Sequence, residues 1–192
     1  MLELLERDAF MSELGVMLKE ALAGQGRVAL VYGEAGIGKT SLVEHFTSAH
    51  QDSVRVLWGG CESLFTPRPL GPLHDIAMQL EGQLPTLLHS DADRQAIFSA
   101  CLVELQNRST IVVFEDVHWA DEATLDLVKF LGRRIQRTTS LFILTYRDDE
   151  LGAGHPLRLA LGDLPRAATN RLQLLPLSAA SVFALASAEG QA

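Results

Sequence analysis

Residues 33–40 read Gly-Glu-Ala-Gly-Ile-Gly-Lys-Thr, an uninterrupted match to G-x-x-x-x-G-K-[ST]. No other feature restricts the chain so far, because the pattern works only where a strand delivers the loop and a helix leaves it. Both are legible: RVALVY at residues 27–32 is an apolar run of strand length, and residues 41–50 are helix-capable. Gly33, Gly36 and Gly38 let the backbone turn sharply and aim successive N–H groups at one anion. The helix that starts here adds about half a positive charge at its N-terminus. In that frame Lys39 reaches the β- and γ-phosphates of a nucleotide, and the Thr40 hydroxyl holds Mg²⁺. The cradle comprises Gly33, Glu34, Ala35, Gly36, Ile37, Gly38, Lys39, Thr40 and Ser41. A glycine-rich turn without a ligand is the bland alternative, and the strand–loop–helix context weighs against it.

Further short apolar runs lie at residues 54–58, 110–114, 141–146 and, more weakly, 171–175. Each reads as a strand buried on both faces. Between them run helical stripes: Phe10, Leu14, Met17, Leu18, Ala21 and Leu22; then Ile97, Cys101, Leu102 and Leu105; then Leu125, Val128 and Leu131. Asp121 is placed to cap the last of these. Alternation of strand and helix predicts an α/β fold, a parallel sheet with helices on both faces. Residues 59–72, with three prolines and three glycines, read as loop throughout. The 192 residues suit one domain. Residues 178–192 read as one amphipathic helix with a frayed end, which suggests that more protein follows.

Sixteen Lys and Arg against 24 Asp and Glu leave a net charge of −8, which argues against direct DNA binding by this segment. Cys61 and Cys101 lie too far apart for a zinc or disulfide framework, so a cytoplasmic home is expected. Glu3 and Glu6 interrupt what would be a signal sequence, and no run approaches the ~18 apolar residues of a membrane span.

A second constellation sits at the end of the third apolar run, where Ile111-Val112-Val113-Phe114 gives way to Glu115-Asp116. Ligands bind at the C-terminal edge of parallel sheets, so one carboxylate can hold Mg²⁺ and the other can orient or deprotonate a water. A helix-capping acid pair is the competing reading. The fourth run ends at Arg147, whose fork geometry suits a γ-phosphate. A solvated arginine paired with Asp148 or Asp149 explains it equally well. The six histidines share no metal-ligand spacing. His118 and Trp119 are expected to shape the acidic loop, Arg133 and Arg134 to end a helix in solvent, and Cys61 to fill a small core position.

Taken together, GEAGIGKT, FEDVHWAD at 114–121, LTYRDDE at 144–150, LQLLPLS at 172–178 and LLERDAFMSEL at 4–14 resemble the signal-transduction ATPases with numerous domains, relatives of the AAA+ ATPases. Within that group the chain is most similar to the ATPase domain of large bacterial transcription regulators with a C-terminal LuxR-type helix-turn-helix. The resemblance implies a P-loop three-layer sandwich whose five strands run in the order 5-1-4-3-2, with the Arg147 strand between the phosphate-loop and acidic strands. It implies ATP or ADP with Mg²⁺, Glu115 at the metal position and Asp116 at the water-activating position. Arg147 becomes the γ-phosphate sensor, and Glu6, Arg7 and Asp8 lie near the adenine through backbone contacts. Residues 1–192 are then a single ATPase core, a weak ATPase acting as a switch, with lid and DNA-binding domain elsewhere in the protein and nucleotide-dependent self-association. One departure stands out: relatives place Asp first in the acidic pair, where this chain has Glu115. A small-molecule kinase is the alternative, lowered by the scattered arginines 147, 158, 166 and 171. A nucleotide-binding module without hydrolysis is the other.

Overall fold

The structure is a computed structural model that describes residues 5–90 and 92–183. Helix α1 (Asp8–Leu22) precedes β1 (Arg27–Tyr32), and α2 (Lys39–His50) leads to β2 (Arg55–Gly60). Three helices follow, α3 (Gly71–Ala77), α4 (Gln83–Leu88) and α5 (Arg94–Asn107), then β3 (Thr110–Glu115) and α6 (Glu122–Gly132). Strand β4 (Ser140–Tyr146), α7 (Pro156–Gly162) and β5 (Thr169–Gln173) complete the order.

The five strands form one sheet in the order β2-β3-β4-β1-β5, every neighbouring pair parallel. This is the expected order 5-1-4-3-2 read from the other edge. Side chains alternate strictly across it. Val28, Leu30, Val112, Phe114, Phe142 and Leu144 join a core with residues of α3 to α7, while Ala29, Val31, Ile111, Val113, Leu141 and Ile143 join one with α1 and α2. Continuous apolar runs therefore reflect burial on both faces, as the sequence suggested.

Element ends differ where tertiary contacts override local signals. Residues 59–72 are not all loop: β2 runs on to Gly60, where Cys61 N–H bonds the Glu115 carbonyl, and α3 starts at Gly71. Gly59 is there for close approach, since a Cβ on it would meet the Pro72 carbonyl oxygen at 2.0 Å. Phe10 and Leu102 are only half-buried and Leu22 is exposed, so two of the stripes are narrower than the spacing implies. Asp121 caps α6 as expected, its carboxylate accepting from the N–H groups of Ala123 and Thr124. The C-terminal helix is seen over residues 179–183; its expected continuation, like the first four residues, lies outside the described residues.

Candidate nucleotide site

The site lies where β1, β3 and β4 end together. Tyr32 and Tyr146 pair in register at the ends of β1 and β4, and their rings stack with centroids 5.1 Å apart. Immediately beyond Tyr32 the phosphate loop begins. Gly33 has φ +149°, and a Cβ on it would lie 2.7 Å from the Leu174 carbonyl oxygen, so only glycine fits between β1 and the chain leaving β5. Gly36 and Gly38 have φ +71° and +95° but face open space, so their demand is for backbone conformation alone. Helix α2 leaves from Gly38 with no side-chain cap and no acid in its first turn. Its leading N–H groups are thus left for an anion.

Lys39 is buried, and its ammonium donates to the carbonyls of Gly33 and Glu34, both at 2.8 Å. An ammonium has three donors, and these two bonds hold the third at the mouth of the loop. Burial pushes the Lys39 pKa down, opposed chiefly by the carboxylate of Asp116. The Thr40 hydroxyl donates to Glu115 Oε1 across the gap between α2 and β3. The other carboxylate oxygen of Glu115 accepts from the indole Nε1 of Trp58 at 3.2 Å. Glu115 therefore reaches from β3 to α2 with one oxygen and to β2 with the other, a span that suits the longer glutamate side chain. A hydroxyl and a carboxylate oxygen meeting at a phosphate loop form a hard-oxygen pair that fits Mg²⁺, which keeps most of its waters.

Asp116 has left the strand. Its φ is +52°, its N–H donates to Thr145 Oγ1 of β4 at 2.9 Å, and a single 3₁₀ turn at Val117–Trp119 follows. Burial pushes the Asp116 pKa up, while His118 is the main opposing influence. Arg147 follows β4 on the same edge. It pairs with Glu150 at 2.7 Å, not with Asp148 or Asp149, and lies over the Trp119 ring at 4.9 Å. Topology thus brings Lys39, Thr40, Glu115, Asp116 and Arg147 to one sheet edge.

The Arg7 side chain has a structural contact of its own, separate from the backbone contact with a base that the resemblance implies. Its side chain is buried, and its guanidinium donates to the Ile37 carbonyl at 3.2 Å and the Leu175 carbonyl at 2.9 Å. It ties the phosphate loop to the segment after β5. Glu6 beside it accepts from the Ser178 N–H and from the hydroxyls of Ser178 and Ser181 at the start of the last helix.

Sequence reasoning missed three residues at this site: Trp58 as a ligand of Glu115, His118 between two carboxylates, and Glu150 as the partner of Arg147. Trp58 carried one available signal, an indole donor near the end of an otherwise aliphatic strand. Of the other residues discussed, Cys61 is buried, and Arg133 lies 3.5 Å from Asp163. Arg134 packs over the Phe130 ring.

Solved structures share this architecture. The chain aligns with Cdc6p from Pyrobaculum aerophilum at a TM-score of 0.67 and 16% identity, over 95% of this chain and 48% of that one. It aligns with the Aeropyrum pernix Orc1 protein, solved in complex with DNA, at 0.68 and 16%, over 98% and 50%. An uncharacterized protein of Rhizobium meliloti (strain 1021) is 27% identical over 90% of this chain and 22% of its own length. The chain therefore spans about half of these structural neighbours and under a quarter of that relative. At such identity the structural likeness speaks for the fold alone. Residues 3–144, which include the loop, the acidic strand and most of the Arg147 strand, match the family model described as the AAA ATPase domain. The chain belongs to the AAA ATPase domain family.

Proposed function

We propose that the chain is the ATP-binding core of a switch that hydrolyses ATP slowly, within a transcription regulator of the LuxR type. The carrying observation is the direct contact between Thr40 and Glu115 beside the Lys39 ammonium, because it joins a metal-suited oxygen pair to a phosphate cradle. Thr40 and Glu115 would hold Mg²⁺, which when bound neutralises charge on the phosphate oxygens. Lys39 and the first-turn N–H groups of α2 bind the phosphates. Asp116 orients the attacking water and accepts its proton, and Arg147 faces the γ-phosphate from β4. Phosphoryl transfer depends mainly on positioning and charge stabilisation, and a contact supplied by a further segment or a neighbour is worth about 10³–10⁵ in rate. A slow core suits a switch, whose signal is the bound nucleotide.

The regulator assignment is supported by the DVHWAD and TYRDDE segments. DNA binding belongs to another domain in this reading, although the Aeropyrum neighbour was solved with DNA. The net charge of −8 supports that separation.

Calorimetry with Mg·ATP tests the core of the proposal. Replacing Lys39 by Ala removes a charge-assisted contact of about 1.5–3 kcal/mol, so affinity should fall roughly 10- to 150-fold. Asp116→Asn should keep affinity and lose turnover. Unchanged affinity in the lysine variant refutes the site, and a phosphorylated acceptor in place of free phosphate refutes the switch.

A further inference from the structure

Buried nitrogen atoms without a hydrogen bond occur in two side chains among the described residues, Arg27 and His118. Arg27 Nε lies 3.2 Å from the Glu20 carboxylate, which accounts for it. His118 is different. Its side chain is 1% exposed, yet neither ring nitrogen is bonded. Nδ1 lies 3.8 Å from Asp116 Oδ1, and Nε2 lies 3.5 Å from Glu150 Oε2. The ring also packs against Trp119, with centroids 4.5 Å apart, and Trp119 in turn carries Arg147. Glu150 gives its other oxygen to Arg147.

A buried polar group left unpaired weakens a fold, and phenylalanine would fill much the same space without that cost. The ring has an acceptor facing each nitrogen, both just beyond bonding range. A shift of under ~1 Å in either flank brings N···O to the ordinary 2.7–3.2 Å. Glu150, on the turn after Arg147, is the more exposed of the two flanks, its side chain 38% exposed against 24% for Asp116.

We propose that His118 is a positioning residue that bridges the carboxylates of Asp116 and Glu150, so that the water-orienting acid and the γ-phosphate-facing arginine are set as one unit. The inference rests on the hydrolytic reading above. It gives the histidine a role that packing alone does not. Besides Asp116 and Glu150, the charges felt by the ring are those of Arg147 and Lys39. All four belong to the site. When the γ-phosphate draws Arg147, Glu150 moves with it, and His118 takes up a proton from solvent, so that both ring nitrogens donate and the ring closes on both acids. Asp116 is then fixed only when a triphosphate is present.

The test uses the full-length protein with two variants, His118→Phe and Glu150→Gln. The first keeps the buried ring shape, so its melting temperature should equal or exceed that of the parent. Its single-turnover hydrolysis should nonetheless fall about 10- to 100-fold, the range for misplacing an aligned group, with ADP affinity and KM within about 2-fold. Its preference for a non-hydrolysable ATP analogue over ADP should shrink, because Arg147 is no longer tied to the acid. Glu150→Gln, at a partly exposed position, should shift rate and preference the same way. If the parent hydrolyses ATP and both variants match it, the bridge is refuted and the ATPase reading stands. If the parent shows no Lys39-dependent binding, both fall. If His118→Phe fails to fold, Glu150→Gln alone decides: parental rate and preference overturn the proposal.

Discussion

Replacing Arg7 by alanine is the most direct probe of how the fold holds its phosphate loop. The guanidinium makes two charge-assisted bonds, to carbonyls at residues 37 and 175. Bonds of this kind contribute about 1.5–3 kcal/mol each, which sets an upper bound of ~3–6 kcal/mol for the pair. Two effects reduce it. Leu175 is exposed, so its carbonyl can return to water, and removing the guanidinium also removes the desolvation that pushes its pKa down. A loss of about 2–3 kcal/mol remains, or a fall of roughly 5–10 °C in melting temperature for a domain of this size. Urea titration should show a lower midpoint with an unchanged slope. Mg·ATP affinity should fall by about 10-fold as well, since binding must then order the Ile37 turn against entropy. Arg7→Lys should lie between, because an ammonium cannot fork to both carbonyls. A stability change below ~0.5 kcal/mol, the size of an ordinary surface substitution, would refute the staple. Lost stability with parental affinity would confine it to structure.

Gly33→Ala should destabilise the domain by at least ~1–3 kcal/mol, read by urea titration, because both φ and the Leu174 carbonyl oppose a Cβ. Glu6 has its pKa lowered to about 2, chiefly by the Ser178 and Ser181 hydroxyls. A depressed acid stabilises the fold above the ordinary glutamate range and loses that contribution as pH falls towards 2. Hydrogen-exchange protection of the Ser178 amide, relative to the unfolded rate at the same pH, should therefore fall below about pH 4 in the parent, whereas Glu6→Gln should already show low protection at neutral pH. The 192-residue chain should give no gel shift with duplex DNA that survives physiological salt and competitor.

Strand identity and the phosphate loop were legible because each rests on a local pattern with one physical meaning, whereas the sheet order came from the family resemblance. A run such as TIVVFE is buried on both faces or it is nothing, and GEAGIGKT has few alternatives to an anion cradle. The short helices α3 and α4 were hidden because Pro72, Gly82 and Pro85 look like breakers, although prolines fit the first helical turn. The Arg7 side chain has partners at 37 and 175 that no local window connects. His118 and Glu150 were opaque for the same reason, since their relation exists only after β3 and β4 lie side by side. The Glu115 departure also resolves in space: its second oxygen is held by Trp58 from β2, a strand 55 positions earlier in register.

The position of β1 in the sheet has a consequence for biosynthesis. Its neighbours are β4 and β5, both made long after it. Roughly 140 residues must follow the loop strand before its last partner exists, some 7–28 s of translation at 5–20 residues per second. Throughout that interval RVALVY has one or both edges unpaired, which is the condition in which strands find foreign partners. Nascent chains halted before Thr169 should therefore be captured by chaperones or aggregate, and release should coincide with the emergence of β5.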